Sequence, residues 1–369
     1  MKIKNVELRI INLPLVRPFR TSFGTQLDRE LLLMKITTQD GVEGWAECVA
    51  MSDPLYSPEY TMGSQDVMER FLLPKIFVYG DIRPEEVATT LKPFLGHQMS
   101  KATIETAILD AQLKLDGISF GSYLGSSKSE IDCGVSVGIA SSVDALVEEV
   151  GLYISEGYRR IKLKIEPGWD IEPVSVIRGL WPDIPLQVDA NQAYTRHDTD
   201  LLKQLDPFNL LLIEQPLDEH DVLGHAMLAR EVRTPICLDE SITSLEAARD
   251  AIAMKATSII NIKPGRVGGY LESVRIHDHC VENNIPVWCG GMLETGIGRA
   301  ANIALASLPG FTLPGDTSAS SRYFHRDITT PFVMHDGQLD VPLGPGIGVD
   351  IDQDFIEEIT TSRKVITAT

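Results

Sequence analysis

The sequence predicts an α/β protein built on a (β/α)8 TIM-like barrel with a discontinuous α+β capping domain. Five polar residues close short apolar runs at intervals of 25, 25, 25 and 24 residues: Lys164, Asp189, Glu214, Asp239 and Lys263. About 25 residues is the length that a strand, a return helix and two loops need in a parallel crossover. Strand-like and helical segments also alternate, with eight strand-like units at 131–139, 160–165, 185–189, 210–214, 235–239, 258–263, 286–290 and 311–314. No G-x-G-x-x-G follows the first unit, which disfavours an open doubly wound sheet.

The sequence before the barrel predicts an antiparallel sheet followed by helices. Residues 1 to about 50 alternate in polarity and contain Asp40-Gly41, a strong hairpin signal. From about 65 to 117 the period is helical, and an apolar stripe follows a Ser100 cap. Strands followed by helices are typical of an α+β domain.

The sequence after the barrel contains a second hairpin signal at Asp336-Gly337 and no further barrel helix. We therefore expect the C-terminal segment to run back to the N-terminal domain. The predicted boundaries are a capping domain over residues 1–125, completed by 321–369, and a catalytic barrel over 126–320.

Composition indicates an ordinary globular protein that binds neither nucleic acid nor a membrane. Of the 369 residues 43% are hydrophobic, and the net charge is −19 with no run of Lys or Arg, which opposes contact with polyanions. The five cysteines are an odd number without C-x-x-C spacing, as expected for reduced core residues. The N-terminus lacks the apolar stretch of a signal peptide, and no apolar run is long enough to span a membrane. A cytoplasmic location is the simplest expectation.

Three of the periodic residues have the chemistry of a metal site. Asp189, Glu214 and Asp239 would converge at the carboxyl ends of parallel strands. Taken singly, each could be a solvated loop acid or a helix cap, but their common phase favours a shared role. Mg²⁺ prefers such oxygen ligands, with Mn²⁺ as a possible substitute, and the lack of His or Cys at equivalent positions disfavours zinc.

Lysines lie on either side of this set. Lys162 and Lys164 are two apart in one strand and therefore point to the same side, into the barrel. They could be structural ion-pair partners of the acids, or they could act on a substrate together with Lys263. A lysine base with a divalent cation suits removal of a proton next to a carboxylate, because the cation offsets the charge that develops on oxygen. The implied substrate is a small carboxylate.

The motifs around these residues resemble those of the o-succinylbenzoate synthase / N-succinylamino acid racemase family, in the muconate-lactonizing subgroup of the enolase superfamily. They are K-x-K at 162–164, DANQAY, IEQP, CLDES, NIKPGRVGG and WCGGMLETGIGR, with PFRTSFGT and PGFTLPGDTSASSRYF outside them. The resemblance covers nearly the whole chain. A lysine base that works together with Mg²⁺ is typical of enolase-superfamily sites. The resemblance also implies a homo-oligomer, either a dimer or an octamer.

The resemblance implies a reaction and roles for the lysines. Lys164 would remove the α proton of 2-succinyl-6-hydroxy-2,4-cyclohexadiene-1-carboxylate and then assist loss of hydroxide, giving o-succinylbenzoate for menaquinone biosynthesis. Lys263 would hold the dienolate by charge or a cation-π contact. In racemisation of an N-succinylamino acid, the two lysines would exchange protons at opposite faces. Arg266 resembles a residue of members with racemase activity, and its alternative is a surface ion-pairing arginine.

Related activities remain as alternatives. A dedicated N-acylamino acid racemase or a muconate-type cycloisomerase would share the barrel and the metal site. A mandelate-racemase-like His base is disfavoured by VWCGG at the seventh unit, and the D-x-D of dipeptide epimerases is disfavoured by Gly315-Asp316-Thr317-Ser318 at the eighth. An inactive barrel that serves as a binding protein would predict a broken ligand set, and this set is intact.

The capping domain is expected to supply specificity. The 18–25 loop is favoured as a lid that excludes water, although packing between domains is the alternative. Glu240 is expected to orient Lys263 without contacting the substrate itself. The predicted substrate contacts are Lys162, Asn191, Ser136, Phe19, Phe23, Tyr56 and Met292.

Overall fold

The computed structural model describes residues 1–368 and begins with a four-stranded antiparallel sheet. Its strands are β1 (Ile3–Thr21), β2 (Gly24–Thr38) and β3 (Glu43–Cys48), joined at one edge by the C-terminal strand Thr360–Thr367. The turn at Asp40-Gly41 is confirmed, since Gly41 donates to Thr38 at 3.1 Å and has a φ of 85°. Alternate residues of β1 and β2 enter two different hydrophobic cores, so both faces of the sheet are covered.

Helices cover one face of this sheet. They are α1 (Thr61–Val67), α2 (Leu73–Tyr79), α3 (Pro84–Leu91) and α4 (Gln98–Asp116), with a π-helical turn at Met68–Leu72. A short helix, α5 (Phe120–Leu124), follows them in the chain and packs in the other core. Helix α4 begins at Gln98, so the prediction that Ser100 caps it is wrong. The carboxylate of Glu59 accepts from the backbone N–H groups of Met99 and Ser100 at 2.8 and 3.0 Å and caps the helix from a distant part of the chain.

The second part of the chain is a curled parallel sheet surrounded by helices. Next in the chain is a short strand, β4 (Glu130–Asp132), and the sheet strands follow as β5 (Gly134–Val137), β6 (Arg160–Lys164), β7 (Leu186–Asp189), β8 (Ile213–Glu214), β9 (Ile236–Leu238), β10 (Ile259–Ile262) and β11 (Val287–Cys289). Its helices are α6 (Val143–Ser155), α7 (Ile171–Leu180), α8 (Thr199–Leu202), α9 (Val222–Glu231), α10 (Leu245–Ala253), α11 (Pro264–Val267), α12 (Tyr270–Glu282) and α13 (Gly296–Ala306). Short 3₁₀ turns occupy Arg196–Asp198, Lys203–Phe208 and Ser320–Arg322. The predicted α/β barrel with a separate capping sheet is confirmed.

The eighth barrel unit differs from the prediction. Residues 311–314 form no strand, and the sheet has seven strands in the order β11-β10-β9-β8-β7-β6-β5. The gap is spanned by single bridges, in which Gly134 donates to the carbonyl of Gly315 at 2.8 Å and Asp316 donates to that of Cys289 at 2.9 Å. The prolines at 309 and 314 explain the difference, because proline has no N–H to donate to a strand partner.

The C-terminal segment contacts both parts of the molecule. A short strand, β12 (Gln338–Asp340), follows the Asp336-Gly337 turn and pairs with β4 beside the barrel. Helix α14 (Gln353–Ile359) then leads into β13 (Thr360–Thr367), which pairs with β1 in the capping sheet. The boundaries 1–125, 126–320 and 321–369 remain a prediction. No helix within residues 1–368 is both long and apolar enough to cross a membrane.

We predict that Gly44→Ala destabilises the protein, because β3 packs against α4 with no room for a methyl group. A Cβ at Gly44 would overlap the carbonyl oxygen of Ala107 and lie 2.8 Å from the Cβ of Ala111. Overpacking of this kind costs about 1–3 kcal/mol. Thermal unfolding followed by circular dichroism should show a lower Tm.

Gly179→Ala is the matched control, because it lies in α7 and an added Cβ would meet nothing within 4 Å. This substitution should be neutral or stabilising by up to about 1 kcal/mol, since alanine favours helix more than glycine does. Equal melting temperatures for the two variants would contradict the close approach of β3 and α4.

Candidate active site

The five periodic residues meet at the carboxyl ends of neighbouring parallel strands. Lys164, Asp189 and Glu214 are the last residues of β6, β7 and β8, and the strand register places Lys164 opposite Asp189 and Asp189 opposite Glu214. Asp239 and Lys263 directly follow β9 and β10. All five side chains are buried, and the three acids are at most 1% exposed. The spacing therefore reflects one shared site.

Each carboxylate in the site contacts a cationic side chain. The Nζ atom of Lys164 lies 2.6 Å from Asp189, and that of Lys263 lies 2.9 Å from Asp239. Burial by itself would raise the pKa of Asp189, but the neighbouring lysines lower it to about 2. Asp189 is therefore held as an anion in the interior.

The two lysines proposed for proton transfer have different surroundings. Burial lowers the pKa of Lys164, and the positive charge of Lys162 adds to this effect against the opposing pull of Asp189. Burial also acts to lower the pKa of Lys263, but Tyr56 and Glu240 outweigh it, and the pKa is raised. Lys164 is therefore the one held closer to the neutral form that a base requires.

Asn191 and Glu240 form a chain of contacts behind Lys164. Lys164 donates to the side-chain oxygen of Asn191 at 2.6 Å, and the Asn191 amide donates to Glu240 at 3.0 Å. Burial, followed by the charge of Asp189, raises the pKa of Glu240 to about 7. The hydrogen bond of Glu240 leads to Lys164 through Asn191, while its charge raises the pKa of Lys263, so the orienting of Lys263 by Glu240 stays a prediction.

A loop of the capping domain reaches Lys263 through Tyr56. The Tyr56 hydroxyl accepts from Lys263 at 3.1 Å and from Arg266 at 3.3 Å, and the Lys263 ammonium group lies 4.5 Å from the Tyr56 ring centroid. Arg266 also forms an ion pair with Asp239 and donates to the carbonyl of Ile242 at 2.7 Å. Arg266 is buried, which excludes the alternative of a surface ion pair.

The other predicted substrate contacts lie around this centre. The Phe23 ring centroid lies 6.2 Å from that of Tyr56, and Met292 lines a small cavity that Lys263 also lines. Ser136 and Phe19 are linked by Arg322, which donates to the Ser136 carbonyl at 2.8 Å and lies over the Phe19 ring at 5.8 Å. Substrate contact by these residues remains a prediction.

Sequence reasoning missed three polar residues of the site. Asn261 donates to Glu214 at 2.8 Å, and Asp316 accepts from Arg160 at 2.8 Å and lies 2.6 Å from Lys162. Two of them, Asn261 and Arg160, could have been found from the alternation of side chains along a strand. Asn261 lies two residues before Lys263, and Arg160 lies two before Lys162, so each pair points to one side. No local pattern indicated Asp316, because it lies outside any strand.

The donor set fits a hard divalent cation, since Asp189, Glu214 and Asp239 supply only oxygen atoms. Within residues 1–368, however, the one group of three acidic or histidine side chains whose ligand atoms all lie within 4.8 Å of one another is Glu130, His335 and Asp340. That group is partly or fully exposed, and it lies on the β4–β12 ribbon. The three site carboxylates are thus more widely spread, each turned toward a cationic side chain.

A barrel with three buried carboxylates between lysines, under a separate antiparallel cap, defines an enzyme of the enolase superfamily. Sequence models agree with this class, since "Mandelate racemase / muconate lactonizing enzyme, N-terminal domain" matches residues 5–125 and "Enolase C-terminal domain-like" matches 145–355. The chain belongs to the o-succinylbenzoate synthase / N-succinylamino acid racemase family of this superfamily. Enzymes of this superfamily branch are metal-dependent.

Relatives named for one or the other of two activities match almost the whole chain. An N-succinylamino acid racemase from Amycolatopsis is 57% identical, covering 98% of this chain and 99% of the relative. An o-succinylbenzoate synthase from Geobacillus stearothermophilus is 47% identical, covering 99% and 98%. The crystal structure of an enolase-superfamily member from Listeria innocua superposes with a TM-score of 0.96 at 38% identity and covers 100% of both chains.

We predict that Mn²⁺ binding depends on Glu214 and not on the exposed group at His335. Glu214→Gln keeps the size of a buried side chain but removes its charge, and loss of such a ligand should weaken binding by about tenfold or more. His335→Ala should leave the affinity within about twofold. Mn²⁺ titration followed by electron paramagnetic resonance measures both, and the reverse ranking would place the metal at the exposed group.

Proposed function

We propose that this enzyme is an o-succinylbenzoate synthase that also racemises N-succinylamino acids. The arrangement of Lys164 and Lys263 is the observation that supports this proposal. The two ammonium groups contact the outer carboxylates of the row, Asp189 and Asp239 respectively, so that a carboxylate substrate over Glu214 would have a lysine toward each face. Relatives named for each activity add to this support.

In the proposed dehydration, neutral Lys164 accepts the proton from the carbon next to the substrate carboxylate. The electron pair of the broken C–H bond forms a ring double bond, the C–O bond to the hydroxyl group breaks, and Lys164 returns its proton so that water leaves. Asn191 holds the Lys164 amine through a hydrogen bond of 2.6 Å. Lys263 remains charged throughout and balances the negative charge that develops on the substrate.

Asp189, Glu214 and Asp239 are the residues proposed to hold the metal, with Mg²⁺ as the expected ion and Mn²⁺ as a substitute. When bound, a divalent cation supplies positive charge next to the substrate carboxylate and thereby lowers the barrier to proton removal. The capping loop carrying Tyr56 and the neighbouring Phe23 would exclude water above this centre. We further propose a cytoplasmic homo-oligomer, either a dimer or an octamer.

A dedicated N-succinylamino acid racemase is the second candidate. The 57% identity to a racemase favours it, as does the burial of Arg266 between Tyr56 and Asp239. Tyr56 and Asp239 both contact Lys263, so Arg266 acts on this lysine. Racemisation needs Lys263 for proton transfer, whereas dehydration does not use it as a base. The two candidates share the same metal site and the same proton removal by Lys164.

Isotope exchange in D₂O tests the proposed function. The Mg²⁺-loaded protein should dehydrate the cyclohexadiene carboxylate, followed by absorbance, and exchange the α proton of N-succinyl-L-phenylglycine, followed by NMR. Chelation should abolish both reactions, and added Mg²⁺ should restore them. Lys164→Ala should lower each by at least about 10²-fold, because general-base catalysis contributes that much. Exchange without dehydration would leave the dedicated racemase, and no reaction with either substrate would overturn the proposal.

Arg266→Gln should lower racemisation about tenfold more than dehydration in the same preparation, because a hydrogen-bonded charge pair near Lys263 is lost while Lys164 is untouched. The kcat/KM of each reaction is the measurement, and dehydration serves as the internal control. Equal losses in both reactions would show that Arg266 acts on the site as a whole.

A further inference from the structure

Lys162 lies between three carboxylates, two of which belong to the proposed metal set. Its Nζ atom is 2.6 Å from Asp316, 3.1 Å from Glu214 and 3.4 Å from Asp189. The Lys162 side chain is 2% exposed, so water cannot replace any of these partners. An ammonium ion in this place competes with a divalent cation for Glu214 and Asp189, because both cations need the same oxygen atoms.

Asp316 is held where it can oppose that competition. It follows the single bridge at Gly315, in the gap where the barrel has no eighth strand, and its backbone N–H donates to Cys289. Arg160 donates to one oxygen of Asp316 at 2.8 Å, which leaves the other oxygen for Lys162. Burial acts to raise the pKa of Asp316, but Lys162 and Arg160 outweigh it and lower the pKa, so the side chain is an anion.

The ring of Trp288 also contacts the cationic groups of Lys162 and Arg160. The Lys162 ammonium group lies 4.7 Å and the Arg160 guanidinium 5.2 Å from the Trp288 ring centroid, and Trp288 is fully buried. An aromatic face attracts both cations. Trp288 and Asp316 therefore offer Lys162 two contacts with groups that do not belong to the proposed metal set.

We infer that Asp316 is a positioning residue that draws the Lys162 ammonium ion away from Asp189 and Glu214 and so leaves these carboxylates available to the divalent cation. The inference rests on the proposed function, because the metal role of the two acids is part of that proposal. It assigns to the irregular eighth unit of the barrel a role in metal affinity rather than in contact with substrate.

A double-mutant cycle on Mn²⁺ binding tests the inference. Asp316→Asn should raise the Mn²⁺ dissociation constant about tenfold, as is typical when a partner behind the ligands is lost. Lys162→Met should tighten binding, and in the Lys162→Met background Asp316→Asn should change the constant by less than about twofold, because the competitor is absent. Asp250→Asn removes the same charge from an exposed position on α10 and should have no effect.

The outcomes separate the two proposals. Unchanged Mn²⁺ affinity in Asp316→Asn, or an equal loss with and without Lys162, would overturn the inference while leaving the proposed metal site in place. Failure of the wild-type protein to bind Mn²⁺ would overturn the proposed function and the inference together. Circular dichroism checks folding, and if Asp316→Asn does not fold, the same-length pair Asp316→Glu and Asp316→Gln replaces it, with only the uncharged member expected to lose affinity.

Discussion

The in-register parallel pairing of β6, β7 and β8 is the constraint on which the site depends. Register places Lys164 beside Asp189 and Asp189 beside Glu214, so charges 25 residues apart in sequence become direct neighbours. A shift of one residue in any of these strands would turn its charged side chain out of the barrel, because side chains alternate along a strand. The chemistry of the site is therefore tied to backbone hydrogen bonds.

Burial of so much charge is tolerated only because the charges balance locally. Isolated carboxylates and ammonium groups are very costly in a protein interior, and pairing offsets most of that cost. In this barrel the lysines at 162, 164 and 263 each contact at least one acid, and Asp316 and Arg160 extend the network to the irregular eighth unit. In the proposed metal complex, a divalent cation would take over part of this compensation.

The capping domain completes the site from outside the barrel. Tyr56 brings a hydroxyl group and an aromatic ring to Lys263, and Ser22 in the neighbouring loop donates to the Ala190 carbonyl at 3.2 Å, next to Asp189. The cap also rests on α13, where Glu47 of β3 accepts from the backbone N–H of Thr295 at 3.0 Å. Because these contacts join distant parts of the sequence, the surroundings of the buried charges depend on how the capping sheet and the barrel pack together.

By itself, the sequence determined the barrel, the cap and the five periodic charges, because each rests on a repeat or a local pattern that any parallel crossover must satisfy. Only the tertiary structure decided the rest. It replaced the eighth strand with single bridges, directed Glu240 toward Asn191, buried Arg266 and brought Asp316 to Lys162. These outcomes depend on contacts between residues far apart in the chain, and such contacts are set by packing and charge balance in three dimensions.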